Sequence, residues 1–213
     1  MKNCLTEFIG TFFLVLTIGL SVLSGTLLAP LAIGSALMIM VYMGGHISGA
    51  HYNPAVTLAV MMRGRLESSQ AVRYWLSQLL GAFVASAVVY MVTGRTFAPA
   101  PAPHANGFQA LLVEFLYTFA LALVVLQVAT AKQTAGNSFY GLAIGFTVMV
   151  GASAGGPVSG GAFNPAVGVG PILMKAMAGG GSLSHLWLYL VGPLAGGAVA
   201  ATVFRLQHGG VAD

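Results

Sequence analysis

Charge is what this chain has least of. Only 6% of its 213 residues are charged, four carboxylates against eight Lys and Arg, where soluble domains carry roughly 25%. So little charge cannot cover a surface in water. Cysteine is nearly absent as well. Cys4 stands alone, which excludes an intramolecular disulfide and a cysteine-built metal site. His46 and His51 make the nearest thing to a metal pair, and no third ligand lies close by in sequence. No catalytic triad, phosphate loop or nucleotide fingerprint occurs. Neither an enzyme nor a cofactor is expected.

Apolar residues, at 57%, take the place of charge. They form long runs at 8–45, 76–93, 108–131, 138–158 and 186–204, interrupted only by Glu114. A membrane span needs about 20 such residues. The first run is long enough for two spans, with Ser24-Gly25 and Pro30 marking the turn. Full spans are predicted near 5–27, 31–48, 70–93, 109–130, 138–156 and 185–206. The first is not expected to be a cleavable signal, because Glu7 interrupts it and no small-residue cleavage site stands out. Lys2, Arg63, Arg65, Arg73, Lys132 and Arg205 fall on one side of this arrangement, and Arg95 and Lys175 on the other. That bias puts both termini in the cytoplasm. The basic excess is therefore a topology signal, and no nucleic-acid partner is expected.

One phrase occurs twice. Residues 45–56 and 156–167 agree at seven of twelve positions, including Asn53-Pro54-Ala55 and Asn164-Pro165-Ala166. The offset between the asparagines (164 − 53 = 111) is about half the chain. Glu7-Phe8 with Thr11-Phe12, and Glu114-Phe115 with Thr118-Phe119, repeat in the same way. The chain reads as one membrane domain, 1–213, built of two copies, 1–98 and 107–213. The loop 94–107, with Pro99, Pro101 and Pro103 alternating with alanine, is expected to be an extended external connector. Three spans per copy force the second copy to enter the membrane from the opposite face. The fold class expected is an all-α membrane protein: six transmembrane helices and two re-entrant half-helices in an inverted repeat.

The half-helices are 53–63 and 164–175, too short to cross. Asparagine is a good N-cap and proline is tolerated at the first helical position. A single Asn-Pro-Ala would be an ordinary turn, but two in matched copies point to helix starts. Non-helical backbone at membrane depth survives only buried in protein or lining a cavity. Two such starts from opposite faces would meet near the midplane, each carrying roughly half a positive charge. A pore there would repel cations and offer two amides to a passing oxygen.

With these motifs the chain resembles the aquaporin/aquaglyceroporin superfamily over essentially its whole length. His46 to His51 before Asn53-Pro54-Ala55-Val56-Thr57 is similar to the first signature, and Gly156-Pro157 through Asn164-Pro165-Ala166 to Gly170-Pro171 is similar to the second. Glu7, Glu114, Gln78 and Pro193 also fit. The resemblance implies a homotetramer in a lipid bilayer, each protomer with its own pore for small neutral solutes. It also implies a plasma (inner) membrane. One position departs: the arginine usual after the second Asn-Pro-Ala is Val167 here. The other filter positions fall on Ile33, Gly161 and Ala152, or Gly151 if the alignment slips by one. Such a ring is expected to be wide and uncharged. It suits water, glycerol-like polyols or metalloid hydroxides such as arsenous acid, unless another side chain fills the gap.

Glu7 and Glu114 lie within spans, where ionisable groups are costly and usually functional. A proton relay is one reading; bracing the re-entrant loops, as the resemblance implies, is preferred. His46 and His51 are both read as satisfied structural histidines, His51 the more firmly, with pH gating of the cytoplasmic mouth as the alternative, and His46 is counted with the two glutamates as support for the loops. The Gly-x-x-x-Gly pairs 141/145, 151/155 and 192/196 are expected to let spans pack closely. A coupled secondary transporter of a neutral solute and a closed junctional protein remain the competing functions, because inverted repeats with broken helices also build transporters.

Overall fold

The computed structural model describes residues 1–209. Every regular element among them is helical. Helix α1 runs Lys2–Ser24 and stops at Gly25, whose φ of 69° is a left-handed cap. Helix α2 is Ala29–Ser48, with Pro30 in its first turn. After the short α3, Pro54–Met62, comes α4, Ser68–Thr93, again ended by a left-handed glycine, Gly94. Helix α5, Gly107–Ala129, opens with a capping box: Gln109 N donates to Asn106 Oδ1 and Asn106 N to Gln109 Oε1. The second half continues with α6 (Tyr140–Ala154), α7 (Gly156–Ser159), α8 (Pro165–Met177) and α9 (Leu188–Gln207).

Five of these, α1, α2, α4, α5 and α9, are long and apolar enough to span a membrane. The sixth expected span differs. Helix α6 has 15 residues and breaks at Gly155 before the single turn of α7. The cause is local: Pro157 has no N–H to offer the carbonyl four residues back. Together α6 and α7 cover the sixth crossing. Helices α3 and α8, at 9 and 13 residues, extend about 14 and 20 Å at 1.5 Å per residue. Neither can cross about 30 Å of hydrocarbon.

The spans pair as α1 with α4, α5 with α9 and α2 with α6. Glycine sets these contacts. A methyl at Gly81 would stand 2.6 Å from the Phe8 carbonyl oxygen, and one at Gly196 2.8 Å from the Phe119 amide nitrogen. Gly34 and Gly145 face each other's carbonyls in the same way. The expected pairs 141/145, 151/155 and 192/196 all sit at such contacts, against Tyr42 and α2, against Tyr117, and against α5. The half-helices are seated across the repeat boundary. Helix α3 packs most on α9, and α8 most on α4. Gly197 and Gly170 permit it, lying on the backbones of Ala55 and Ala82.

Candidate functional site

Each re-entrant loop repeats one backbone path. Gly49 and Gly160 end their helices at φ 89° and 90°. Ala50 and Gly161 follow at 52° and 65°, then Tyr52 and Phe163 at 50° and 48°. Positive φ on alanine, tyrosine and phenylalanine is uncommon and persists only where the surroundings impose it. Asn53 and Asn164 then turn to extended backbone and cap α3 and α8, accepting from the amides of Ala55 and Ala166 at 2.8 and 2.9 Å.

What imposes this path is a buried carboxylate beneath each loop. Glu7 is fully buried and accepts from Ser48 Oγ (2.6 Å), His51 N (3.0 Å) and Tyr52 N (2.7 Å). Glu114, equally buried, accepts from Ser159 Oγ (2.7 Å), Ala162 N (3.0 Å) and Phe163 N (2.6 Å). Ser48 and Ser159 in turn accept from the next loop amides, Ala50 N and Gly161 N. Tyr74 and Tyr189 donate their hydroxyls to the Ser48 and Ser159 carbonyls. Each of these bonds to a glutamate comes from the loop that it supports or from the serine that ends the helix before it. The serines stand inside the repeated phrase and the tyrosines repeat along α4 and α9. Aligning the two halves beyond the motifs would have found them.

The halves differ around the first loop. Gln78 Nε2 donates to Glu7 Oε2 (2.8 Å) and to Thr57 Oγ1 (2.9 Å), and His51 Nδ1 lies 3.1 Å from the same hydroxyl. The corresponding positions of the second half are Pro193, Gly168 and Ala162, with no such polar side chains. His46 does not take the supporting role expected of it. It is exposed, makes no hydrogen bond to the loop, and lines a cavity on the side of the termini. The histidine buried against the loop is His51, edge-on to Tyr74. The physical reason is helical phase: His46 lies two residues before the buried Ser48 and so on another side of α2.

The two helix starts meet. Asn53 Nδ2 donates to the Phe163 carbonyl and Asn164 Nδ2 to the Tyr52 carbonyl, both at 2.9 Å. Each amide keeps one further N–H. Both asparagines line a cavity of about 490 Å³ that opens on the side away from the termini. A second cavity, about 700 Å³, opens on the side of the termini, and the two share His51, Val125 and Ile144. The first is apolar. Among the described residues no Lys, Arg, Asp or Glu lines it, and the polar residues on it are the two asparagines, His51 and Tyr52, whose own hydroxyl is turned away to the Met40 carbonyl. Ile33, Ala152, Gly161 and Val167 all lie on it. Gly151 does not: it faces Phe163 and Tyr117 in the protein interior. Of the two readings left open by spacing, Ala152 is the one on the cavity wall.

The loop 94–107 is more than an external connector. Phe97, Ala98, Pro99 and Ala100 line the same cavity. Composition and the alternating prolines held no sign of this, because a lone aromatic in a loop has no periodicity to place it.

A family model described as "Major intrinsic protein" matches residues 1–204. Aquaporin NIP1-4 of Oryza sativa subsp. japonica is 41% identical over 97% of this chain and 77% of its own length. A glycerol uptake facilitator protein-like 6 of Lactiplantibacillus plantarum is 36% identical over 97% and 98%. Among solved structures, the aquaglyceroporin of Plasmodium falciparum superposes with a TM-score of 0.86 at 23% identity, over 95% of this chain and 94% of that one. It has the same fold.

Proposed function

The chain belongs to the major intrinsic protein family, and from that premise we propose how this member selects its solutes. It is an integral multi-pass membrane protein and a passive channel for water and small uncharged solutes, not an enzyme. The path runs through the two cavities and past the Asn53 and Asn164 amides, each offering one N–H to a passing oxygen. The outer filter is the ring Ile33, Ala152, Gly161 and Val167. With no arginine and no aromatic among the four, it is wide and uncharged. It passes neutral solutes larger than water, of the class of glycerol-like polyols or metalloid hydroxides such as arsenous acid. The observation that carries this is the cavity itself: about 490 Å³, with no charged residue among the described residues that line it, ending on two paired amides. A relative of similar length that is named a glycerol uptake facilitator is in keeping with it.

Six basic residues at the end that carries Lys2 and Arg205, against Arg95 and Lys175 at the other, support a cytoplasmic side for both termini, and an inner or plasma membrane is part of the same proposal. The exposed apolar faces of the single chain, with Leu76, Leu80 and Leu116 among them, face lipid and the other protomers of a homotetramer.

The test is stopped-flow light scattering on proteoliposomes with water, urea, glycerol and arsenous acid. Rapid, non-saturating glycerol or arsenous acid flux is expected. Flux that saturates, or that follows a proton gradient, would instead identify a coupled transporter.

A further inference from the structure

We propose that Phe97 is a fifth specificity-determining residue of this channel, forming the outer wall where the ring of four leaves room. The proposal rests on the channel reading above and deepens it. Leu14, Ile18 and Val22, spaced by four, turn one face of α1 to the cavity. Beside Ile18 is Gly19, and a methyl there would overlap the Phe97 ring and approach Val89 to 2.7 Å. The ring therefore fills a notch that only glycine leaves open. Phe97 is 7% exposed and is one of the residues that line the cavity.

The loop carrying the ring is fixed at both ends. Arg95 Nη1 donates to the Leu23 carbonyl at the end of α1 (3.1 Å), and Ala102 N donates to the Val158 carbonyl in α7 (3.0 Å). Between them Pro99 and Pro101 lock their own φ angles. Gly160, next to the filter position Gly161, lies on the backbone of Ala100, where a methyl would be 2.7 Å from the amide nitrogen. The loop thus connects the end of α1, the notch at Gly19 and the second re-entrant loop. An aromatic ring held this way is a rigid apolar wall. For an uncharged solute, passage is governed by fit and by the water it must shed. A wall residue then acts on large solutes more than on small ones.

The experiment compares urea, glycerol and erythritol flux in proteoliposomes for wild type, F97A, F97L, G19A and the G19A/F97A pair. Truncating the ring in F97A raises erythritol flux relative to urea by about tenfold, the scale of removing a few carbons from a pocket wall. The added methyl of G19A expels the ring from its notch toward the cavity and lowers the same ratio. In the pair, the G19A effect vanishes because there is no ring to displace. A residue that only stabilised the loop would lower all three fluxes together and leave their ratio alone. An unchanged ratio in F97A that still passes urea overturns the proposal. If F97A does not assemble, F97L and G19A decide it by the same ratio. A wild type that passes none of the three solutes overturns this inference, and one that passes neither water nor arsenous acid as well sinks the channel reading with it.

Discussion

At the scale of single residues, the missing charge at position 167 is the sharpest test. Val167 is 4% exposed and lies on the cavity wall with Ile33, Ala152 and Gly161. Val167→Arg would bring a bulky cation and five donors into that ring. Glycerol flux is expected to fall about tenfold, equivalent to ~1.4 kcal/mol of added barrier, with water flux falling much less. Unchanged glycerol flux in a variant that still assembles would remove Val167 from the constriction. The two buried glutamates offer a second test. Losing either leaves two loop amides without an acceptor, at ~1–3 kcal/mol each. Glu7 also holds Gln78, which Glu114 has no counterpart for. Glu7→Ala should therefore lower the melting temperature in detergent more than Glu114→Ala. The reverse order would mean that the Gln78 contact contributes nothing. The glutamates themselves were legible from their repeated spacing. The support expected of His46 was not, because His46 lies on α2 and His51 in the loop after it, and only packing decides which is buried.

At the scale of elements, the half-helices set the treatment of charge. Helices α3 and α8 point their N-termini at each other, joined by the Asn53–Phe163 and Asn164–Tyr52 bonds. Their positive ends remain whatever side chain stands at position 167, where this chain has valine. Moving a unit charge past two half-charges, each taken as about 5 Å away, costs about 332/(20 × 5) ≈ 3 kcal/mol at an effective dielectric of 20. That is roughly a hundredfold suppression, before the cost of desolvating an ion in an apolar pore. Proton flux in dye-loaded liposomes under an imposed potential should accordingly stay low. Conductance like that of an open ion channel would show that the central dipoles are not the main barrier. The boundaries of these two helices were readable to within two residues, since Asn-Pro starts are local chemistry. The break of α6 at Gly155 was missed, because glycine and proline late in an apolar run also suit a plain helix end.

At the scale of the whole molecule, the repeats interlock. Each half-helix packs more on the other half's last span than on its own, α3 on α9 and α8 on α4. The channel therefore has no half that stands alone, and a single domain over 1–213 is the consistent proposal. For the assembly, native mass spectrometry from a mild detergent should give four times the mass of one chain. A stable monomer that still conducts would refute the homotetramer. It would leave the pore assignment untouched, because the cavity is already formed within the single chain.

Composition, run length and the doubled Asn-Pro-Ala phrase by themselves determined the membrane class, the number of crossings, the inverted symmetry and the residues at the centre. These are properties of local chemistry and of counting: an apolar run long enough to span, a cap, a proline at a helix start, an odd number of spans per copy. Tertiary structure alone decided what depends on neighbours distant in sequence. It placed Ala152 and not Gly151 on the wall, buried His51 and left His46 exposed. It crossed the half-helices between repeats and turned Phe97 from a connector into the cavity lining. Such choices rest on which atoms meet at 3–4 Å across the fold, and a glycine notch or a carbonyl that receives a loop carries no periodic mark in the chain.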